Sequence, residues 1–180
     1  MRGDGGDLPA GDFGAWVTAM AAAIRAEAGI DVPCGDCTAC CTASQFVQIG
    51  PDETDTLAHI PKELLFPAPG RGEGHVLLGY DERGHCPMLA DGRCSIYAHR
   101  PRTCRVYDCR IFAAVGLDVS AEDDHKEAIA ARSRRWRFSF PTGDDHRRHE
   151  AVQAAARTVR ATSVTQLAVR AVESHEEFLP

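Results

Sequence analysis

The stretch CGDCTACC, residues 34–41, places four cysteines within eight residues of a chain of 180. The other four cysteines of the sequence are Cys86, Cys94, Cys104 and Cys109, so all eight lie between residues 34 and 109. Thiols crowded in this way oxidise unless they are joined in disulfides or held by a metal. Which of these two arrangements applies decides how the whole segment folds.

The composition excludes several classes of partner. The formal net charge is −6, which argues against a general nucleic-acid-binding protein, because neutralising phosphates requires a basic face. The segment RSRRWRF, residues 132–138, is basic around an aromatic residue, but this spacing is typical of a solvated helix edge, so we expect no nucleic-acid partner.

No run approaches the roughly 18–20 apolar residues of a membrane span, and the N-terminal MRGDGGDLPAGD does not resemble a signal peptide. We therefore expect a cytoplasmic protein without a membrane partner.

The spacing of the first cysteines favours a metal over disulfides. No secretory signal indicates an oxidising compartment, and the adjacent Cys40 and Cys41 are awkward to bridge separately. Two cysteines in C-x2-C form half of a typical four-cysteine zinc site. A third follows here at the same interval, and C-x2-C-x2-C, formed by Cys34, Cys37 and Cys40, is the loop that binds a cubane cluster in bacterial ferredoxins. We expect an iron-sulfur cluster, [4Fe-4S], with zinc as the alternative.

The chain is predicted to form a single α+β domain over residues 1–180, in three segments. Residues 1–33 carry an N-terminal helix that begins at its cap Asp12 and ends at Gly29. The apolar face of this helix is formed by Phe13, Trp16, Val17, Met20 and Ile24. Residues 34–110 form the cysteine-cluster metal-binding core, a small irregular centre with short strands that a metal has to organise. Residues 111–180 form a helical C-terminal region.

Local signals predict the individual elements of the last two segments. In the core we expect a strand over 45–49, a short helix over 51–59, a loop over 67–74, a hairpin between 75–80 and 84–89, and a tight turn over 90–93. In the C-terminal region we expect helices over 120–136, 144–161 and 163–178, with a break at Pro141.

The second group of cysteines carries a longer motif, CPMLADGRCSIYAHRPRTCRVYDC, residues 86–109. Together, C-x2-C-x2-C-C, C-P-x-L and C-x-I-Y-x2-R-P-x2-C-R-x-Y-x-C resemble the YkgJ-like cysteine-cluster family, described as zinc- or iron-chelating domains. Besides all eight cysteines, the resemblance includes Pro87, Leu89, Ile96, Tyr97, Arg100, Pro101, Arg105 and Tyr107. It implies metal binding through these cysteines. A few longer relatives, flagellin lysine methylases, couple such a module to methyl transfer, but this sequence has no G-x-G-x-x-G loop after a strand.

Four residues of this motif are assigned to the surroundings of the cofactor: Arg100, Arg105, Tyr97 and Tyr107. A cluster held by four thiolates carries negative charge, which the two arginines can neutralise while donating hydrogen bonds. Their alternative role is an ion pair with Asp108 or another acid. The tyrosines are alternatively packed rings whose hydroxyls are hydrogen-bonded.

Three other residues belong to the candidate site. Pro101 suits the first turn of a short helix that carries Cys104 and has Cys109 near one end. His85 and His99 are additional candidate nitrogen ligands for zinc.

The sequence leaves open how the sulfurs are shared. One grouping combines Cys34, Cys37 and either Cys40 or Cys41 with one later cysteine, and another interleaves the two groups into two four-sulfur sites. Cys41 directly follows Cys40 and cannot easily point at the same corner of a cluster, so it is the best candidate for a second site.

The predicted function is metal binding, in electron transfer or metal handling, with a protein redox partner. The alternative is a metal-dependent enzyme that performs redox or group-transfer chemistry on an unknown substrate. We favour the first, because the sequence supplies many metal ligands and no clear acid, base or nucleophile outside them.

Overall fold

The computed structural model describes residues 6–25, 30, 32, 34–121 and 123–180. The chain divides into two compact units. The central unit is Asp31–Tyr107, and the terminal unit combines Met1–Ile30 with Asp108–Pro180. Helices near both ends and short strands confirm the predicted α+β class. The prediction of one domain over residues 1–180 stays a prediction.

The helices and strands are short and alternate irregularly along the chain. In chain order they are β1 (Leu8–Asp12), α1 (Phe13–Ile24), β2 (Val47–Ile49), α2 (Thr54–Ala58), β3 (Leu65–Pro67), β4 (Val76–Leu78), β5 (Leu89–Ala90), β6 (Arg93–Cys94), α3 (Arg102–Val106), α4 (Arg110–Val115), α5 (Glu127–Ser133), β7 (Trp136–Ser139), α6 (Gly143–Thr158) and α7 (Val164–Ser174). Single 3-10 turns include Cys40–Thr42, Tyr97–His99 and His175–Phe178.

Helix α1 of the terminal unit has the predicted apolar face. Its buried residues are Phe13, Trp16, Val17, Met20 and Ala21. Asp12 holds the N-cap position but does not cap the helix with its side chain, which instead accepts a hydrogen bond from the Ser139 hydroxyl at 2.5 Å. The predicted end of the helix at Gly29 lies outside the described residues.

The predicted helix over 120–136 is wrong at its end. The helical part, α5, ends at Ser133, and Trp136 begins strand β7, which pairs in parallel with β1. In β7 half-buried Trp136 and Phe138 alternate with exposed neighbours, a period of two that favours a strand over a helix. The partner strand LPAGD was not predicted, because proline and glycine are depleted in strands.

The last two helices are close to their predicted ranges. Helix α6 begins with a capping box, in which the Thr142 hydroxyl accepts from the Asp145 amide and the Asp145 carboxylate accepts from the Thr142 amide at 2.8 Å. The same carboxylate accepts from the Gly14 amide at 2.8 Å, which connects α6 to α1. A Cβ at Gly14 would lie 2.4 Å from an Asp145 carboxylate oxygen, so this close approach requires glycine. Ser163 caps α7, and the turn His175–Phe178 follows it.

A buried ion pair anchors α1 to the chain before α4. The Asp108 side chain is 1% exposed and accepts from Arg110 at 2.6 Å and from the Trp16 indole at 2.8 Å. Burying a carboxylate destabilises the folded protein unless the carboxylate is paired and hydrogen-bonded. The contacts with Arg110 and Trp16 therefore offset the burial of Asp108.

The central unit is built on a three-stranded antiparallel sheet with a small core. The strand order is β2-β4-β3, with Leu78 opposite both Val47 and Leu65. The core consists of Ile49, Ile60, Leu78 and Ile96, and the side chains of Cys86 and Cys94 pack against it. So small an apolar cluster offers little stability by itself.

The predicted hairpin between 75–80 and 84–89 is wrong. A turn is present, in which the Gly84 amide donates to the Asp81 carbonyl at 2.9 Å, but β4 pairs with β2 and β3. The chain leaves the sheet after the turn because the Cys86 amide donates to the Cys41 carbonyl at 2.7 Å. The tight turn over 90–93 is confirmed between β5 and β6, with positive φ angles of 50° and 74° at Asp91 and Gly92.

Gly84 connects the turn to Ser44, which follows the first group of cysteines. Its carbonyl accepts from the Ser44 amide at 2.9 Å, and its φ of +78° is one that favours glycine. A Cβ at this position would lie 2.2 Å from the Ser44 hydroxyl oxygen. The glycine therefore permits the close approach that brings residue 86 towards residue 41.

We expect Gly84→Ala to destabilise the protein more than Gly70→Ala. Gly70 also has a positive φ, +70°, but no atom lies within 4 Å of a Cβ built there, so its variant bears only backbone strain of about 1–2 kcal/mol. Gly84→Ala bears the same strain and a clash with Ser44. Urea unfolding of both variants measures the difference, and equal midpoints would contradict the tight packing at Gly84.

Candidate metal centre

The first cysteine group is folded by two consecutive backbone turns. The Cys37 amide donates to the Cys34 carbonyl at 3.0 Å, and the Cys41 amide donates to the Thr38 carbonyl at 2.9 Å. The 3-10 turn Cys40–Thr42 ends the group. These turns compact the run of four cysteines, whereas an extended chain would separate its first and last members by about 20–25 Å.

The four cysteines of the second group lie in different secondary-structure elements and turns. After Cys86 the chain turns, and the Leu89 amide donates to the Cys86 carbonyl at 2.9 Å. Cys94 lies opposite Leu89 in the β5–β6 pair. Helix α3 carries Cys104, as predicted, and Pro101 immediately precedes the helix. Cys109 lies beyond the end of α3, at the N-cap of α4.

Backbone contacts within the central unit join the two groups. The Cys86 amide donates to the Cys41 carbonyl at 2.7 Å, and the Gly35 amide donates to the Tyr97 hydroxyl oxygen at 3.2 Å. The two stretches of chain that carry the cysteines, separated by more than 40 residues in sequence, are therefore neighbours in space.

Cys41 is a strongly perturbed thiol of the first group. Burial, and to a lesser extent repulsion between a thiolate and the neighbouring sulfurs, raises the pKa of its thiol to about 12. These neighbours come from both groups: Cys86, Cys94, Cys34 and Cys37. A proton on the Cys41 sulfur is thus strongly retained unless a cation replaces it.

The Cys104 thiol is perturbed in the same direction. Burial, together with repulsion from Cys86, Cys41 and Cys94, raises its pKa to about 12, although the Arg100 guanidinium opposes the shift. Burial also raises the pKa of Cys86, but the Met88 amide donates a hydrogen bond to that sulfur and opposes the shift. An amide donor of this kind stabilises a thiolate, the form in which sulfur binds a metal.

Six of the eight cysteines predicted as metal ligands thus lie close enough together for their charges to interact. We call Cys34, Cys37, Cys41, Cys86, Cys94 and Cys104 the sulfur cluster. All eight cysteines of the chain are half-buried thiols, and none is joined in a disulfide in the described part of the chain. Soft, partly desolvated sulfurs that repel one another as anions are a donor set that fits zinc or an iron-sulfur cluster.

The remaining two predicted ligands have different surroundings. Cys40 begins the 3-10 turn beside Cys41. Cys109 belongs to the terminal unit, where its sulfur accepts a hydrogen bond from the Trp136 indole at 3.2 Å. The assignment of all eight cysteines as ligands stays a prediction.

The assignment of Arg100, Arg105, Tyr97 and Tyr107 to the surroundings of a cofactor stays a prediction. The Arg100 residue is 7% exposed, and its guanidinium lies 3.8 Å from the centre of the Tyr97 ring. Arg105 donates to the Arg100 carbonyl at 2.9 Å, so it supports the backbone next to Arg100. Tyr107 is half-buried. The alternative partner of the arginines, Asp108, is held by Arg110 and Trp16 as described above.

The sequence analysis missed two residues that lie beside a predicted one. Asp55 and His59 flank His99 within the central unit. Their spacing of four residues, which places side chains on one face of a helix, was the available signal. His85, the other candidate nitrogen ligand, has its backbone amide bonded to Asp81 at 2.9 Å.

Comparison with known proteins identifies the class. The model of the CxxCxxCC family, described as "Putative zinc- or iron-chelating domain", matches residues 33–131, which is more than half of the chain. The chain therefore belongs to the CxxCxxCC family of cysteine-rich chelating domains, as its resemblance to the YkgJ-like proteins predicts. No curated protein and no solved structure matches it. Among the described residues, none of the helices combines the length and apolar character needed to cross a membrane.

The raised thiol pKa values predict that metal affinity rises with pH. Because Cys41 and Cys104 are protonated at neutral pH without metal, each thiol that binds a metal must release a proton. The logarithm of the apparent association constant for Zn²⁺ should therefore increase by about one for each pH unit and each bound thiol. Competition with a chelator of known affinity, on reduced metal-free protein at several pH values near 7, measures this slope. An affinity that does not change with pH would contradict thiolate binding.

Proposed function

We propose that the protein holds an iron-sulfur cluster, [4Fe-4S], through its cysteines and works in electron transfer or metal handling in the cytoplasm. The observation that carries the proposal is the sulfur cluster, in which six half-buried sulfurs from two distant stretches of chain affect one another's charge. Membership of a family of zinc- or iron-chelating domains supports metal binding by this chain. A reducing compartment suits so many thiols.

The spacing of the first cysteines favours a cluster over a single zinc ion. The run Cys34, Cys37, Cys40 repeats the interval of a cubane-binding loop, whereas a zinc site takes two cysteines from one such loop.

Arg100 is the residue that best fits the electrostatics of such a centre. When bound, a cluster with four thiolates supplies one-electron redox chemistry and carries net negative charge. The Arg100 guanidinium already favours the thiolate form of Cys104, and its stacking on Tyr97 orients it. Positive charge at this place would raise the reduction potential of the centre.

A groove of about 360 Å³ in the terminal unit is lined by apolar residues and by Asp118, Ser133, Arg134 and Arg137. No cysteine belongs to the lining of this groove. We propose a protein partner for electron exchange, because the sequence supplies many metal ligands and no clear acid, base or nucleophile outside them.

Anaerobic purification tests the identity of the centre. We expect a brown protein with a broad visible absorption band, and iron and acid-labile sulfide in equal amounts, about four of each for one cubane. Quantification of zinc in the same sample is the internal control. A colourless protein with stoichiometric zinc would overturn the iron-sulfur assignment and leave only metal chelation.

Loss of one sulfur tests the ligands. We expect Cys37→Ser and Cys41→Ser to lose metal and to unfold the central unit at lower temperature, because metal-binding energy there is also folding energy. Asp36→Asn, an exposed non-thiol neighbour in the same loop, should retain both metal content and melting temperature. A serine variant with full metal content and an unchanged melting temperature would show that its cysteine is no ligand.

A further inference from the structure

A second group of metal-ligating side chains lies in the central unit and contains no sulfur. Asp55 belongs to α2, His59 is the C-cap of that helix, and His99 ends the 3-10 turn Tyr97–His99. One potential ligand atom from each of the three residues lies within 4.8 Å of the other two. Four residues separate Asp55 from His59, so both occupy one face of the helix, and the turn adds His99.

The hydrogen bonds within the group orient both imidazole rings. The His59 Nδ1 lies 2.8 Å from the Asp55 carbonyl oxygen, and the His99 Nδ1 lies 2.7 Å from the Asp55 carboxylate. The His59 Nδ1 also lies 3.8 Å from the Asp55 carboxylate, so both Nδ1 atoms and the carboxylate face one place. An ion bound there by the two Nδ1 atoms and the carboxylate would replace the hydrogen bond between His99 and Asp55.

The two imidazole rings are stacked. The ring centres of His59 and His99 are 3.6 Å apart, and their planes differ by 7°. Because an imidazole nitrogen binds a metal in the plane of its ring, the two rings have to turn out of this stack to bind one ion. The Asp55 carboxylate supplies negative charge for a divalent cation.

We propose that Asp55, His59 and His99 bind a divalent transition-metal ion, zinc being the ion to test, independently of the sulfur cluster. Imidazole and carboxylate are ligands that zinc accepts at about 2.0–2.2 Å. Ligand atoms on a tetrahedral ion are then about 3.4 Å apart, so the distances between these atoms need to change by no more than about 1.4 Å.

The surroundings of the group indicate what such a site can do. The side chains of Asp55, His59 and His99 are 66%, 40% and 38% exposed, so an ion bound there stays in contact with solvent. Three protein ligands leave a fourth position for water, as in zinc sites that exchange ligands rather than serve structure alone. Exposed nitrogen and oxygen ligands release zinc more readily than buried thiolates. The site therefore suits reversible binding of the ion.

Calorimetric titration of the protein with Zn²⁺ tests this site, using protein that retains its cysteine-bound metal. We expect one additional equivalent of zinc to bind to the wild type, and the affinity to fall at least tenfold in His59→Gln and in His99→Gln. Removing a partner that only orients a ligand costs about 10–100-fold, and removing the ligand itself should cost no less. His75→Gln, which changes an exposed-loop histidine of the same unit outside the group, is the matched control.

Co²⁺ in place of Zn²⁺ provides a second measurement. In the difference spectrum before and after Co²⁺ is added, we expect visible bands without the intense near-ultraviolet bands of thiolate-to-cobalt charge transfer, which a sulfur site would show. If either histidine variant loses its far-ultraviolet circular dichroism and is therefore unfolded, Asp55→Asn serves as the third ligand variant.

The proposal is overturned if the wild type takes up no additional ion, if the ligand variants bind as the His75 control does, or if thiolate bands appear. The cysteine-bound metal is quantified separately in every sample, so failure here is distinct from failure of the proposed cluster.

Discussion

The central unit depends on the hydrogen bond from the Cys86 amide to the Cys41 carbonyl, 2.7 Å long. It joins the two cysteine-bearing stretches, and the nearby Gly84, whose positive φ favours glycine, accepts from the Ser44 amide. Residue 86 lies outside the sheet, in which β4 is flanked by β2 and β3. This backbone contact is therefore part of what brings the sulfurs of the two stretches together.

The same contact creates an electrostatic problem that a metal solves. Burial, together with repulsion between neighbouring sulfurs, raises the pKa of Cys41 and Cys104 to about 12, so these two thiols stay protonated without metal. A bound cation reverses this, since each thiolate then has an opposite charge beside it. Among the described residues, the fully buried core of the sheet consists of four aliphatic side chains with partly buried residues around them, which is a small source of stability. Folding and metal binding are therefore expected to be coupled.

The errors in the predicted elements have a common cause. The strand at 136–139 and the sheet partners of β4 both depend on pairing with distant segments, LPAGD at the N-terminus and residues 47–49 and 65–67. Local periodicity does not encode such partners, because strand pairing is decided by what is available in space. Helix α1 has its predicted apolar face, and α6 and α7 were close to their predicted ranges, because caps and apolar faces lie within each segment.

The sequence by itself determined the chemistry: the spacing of the cysteines and the C-x-I-Y-x2-R-P motif indicated a chelating family and soft-metal ligands before any fold was known. Only the tertiary structure decided which sulfurs affect one another, that Arg100 stacks on Tyr97 near Cys104, and that Asp55 and His59 meet His99. The physical reason is that ligand identity is a property of single residues, whereas burial, charge coupling and hydrogen bonding require residues far apart in the chain to be neighbours.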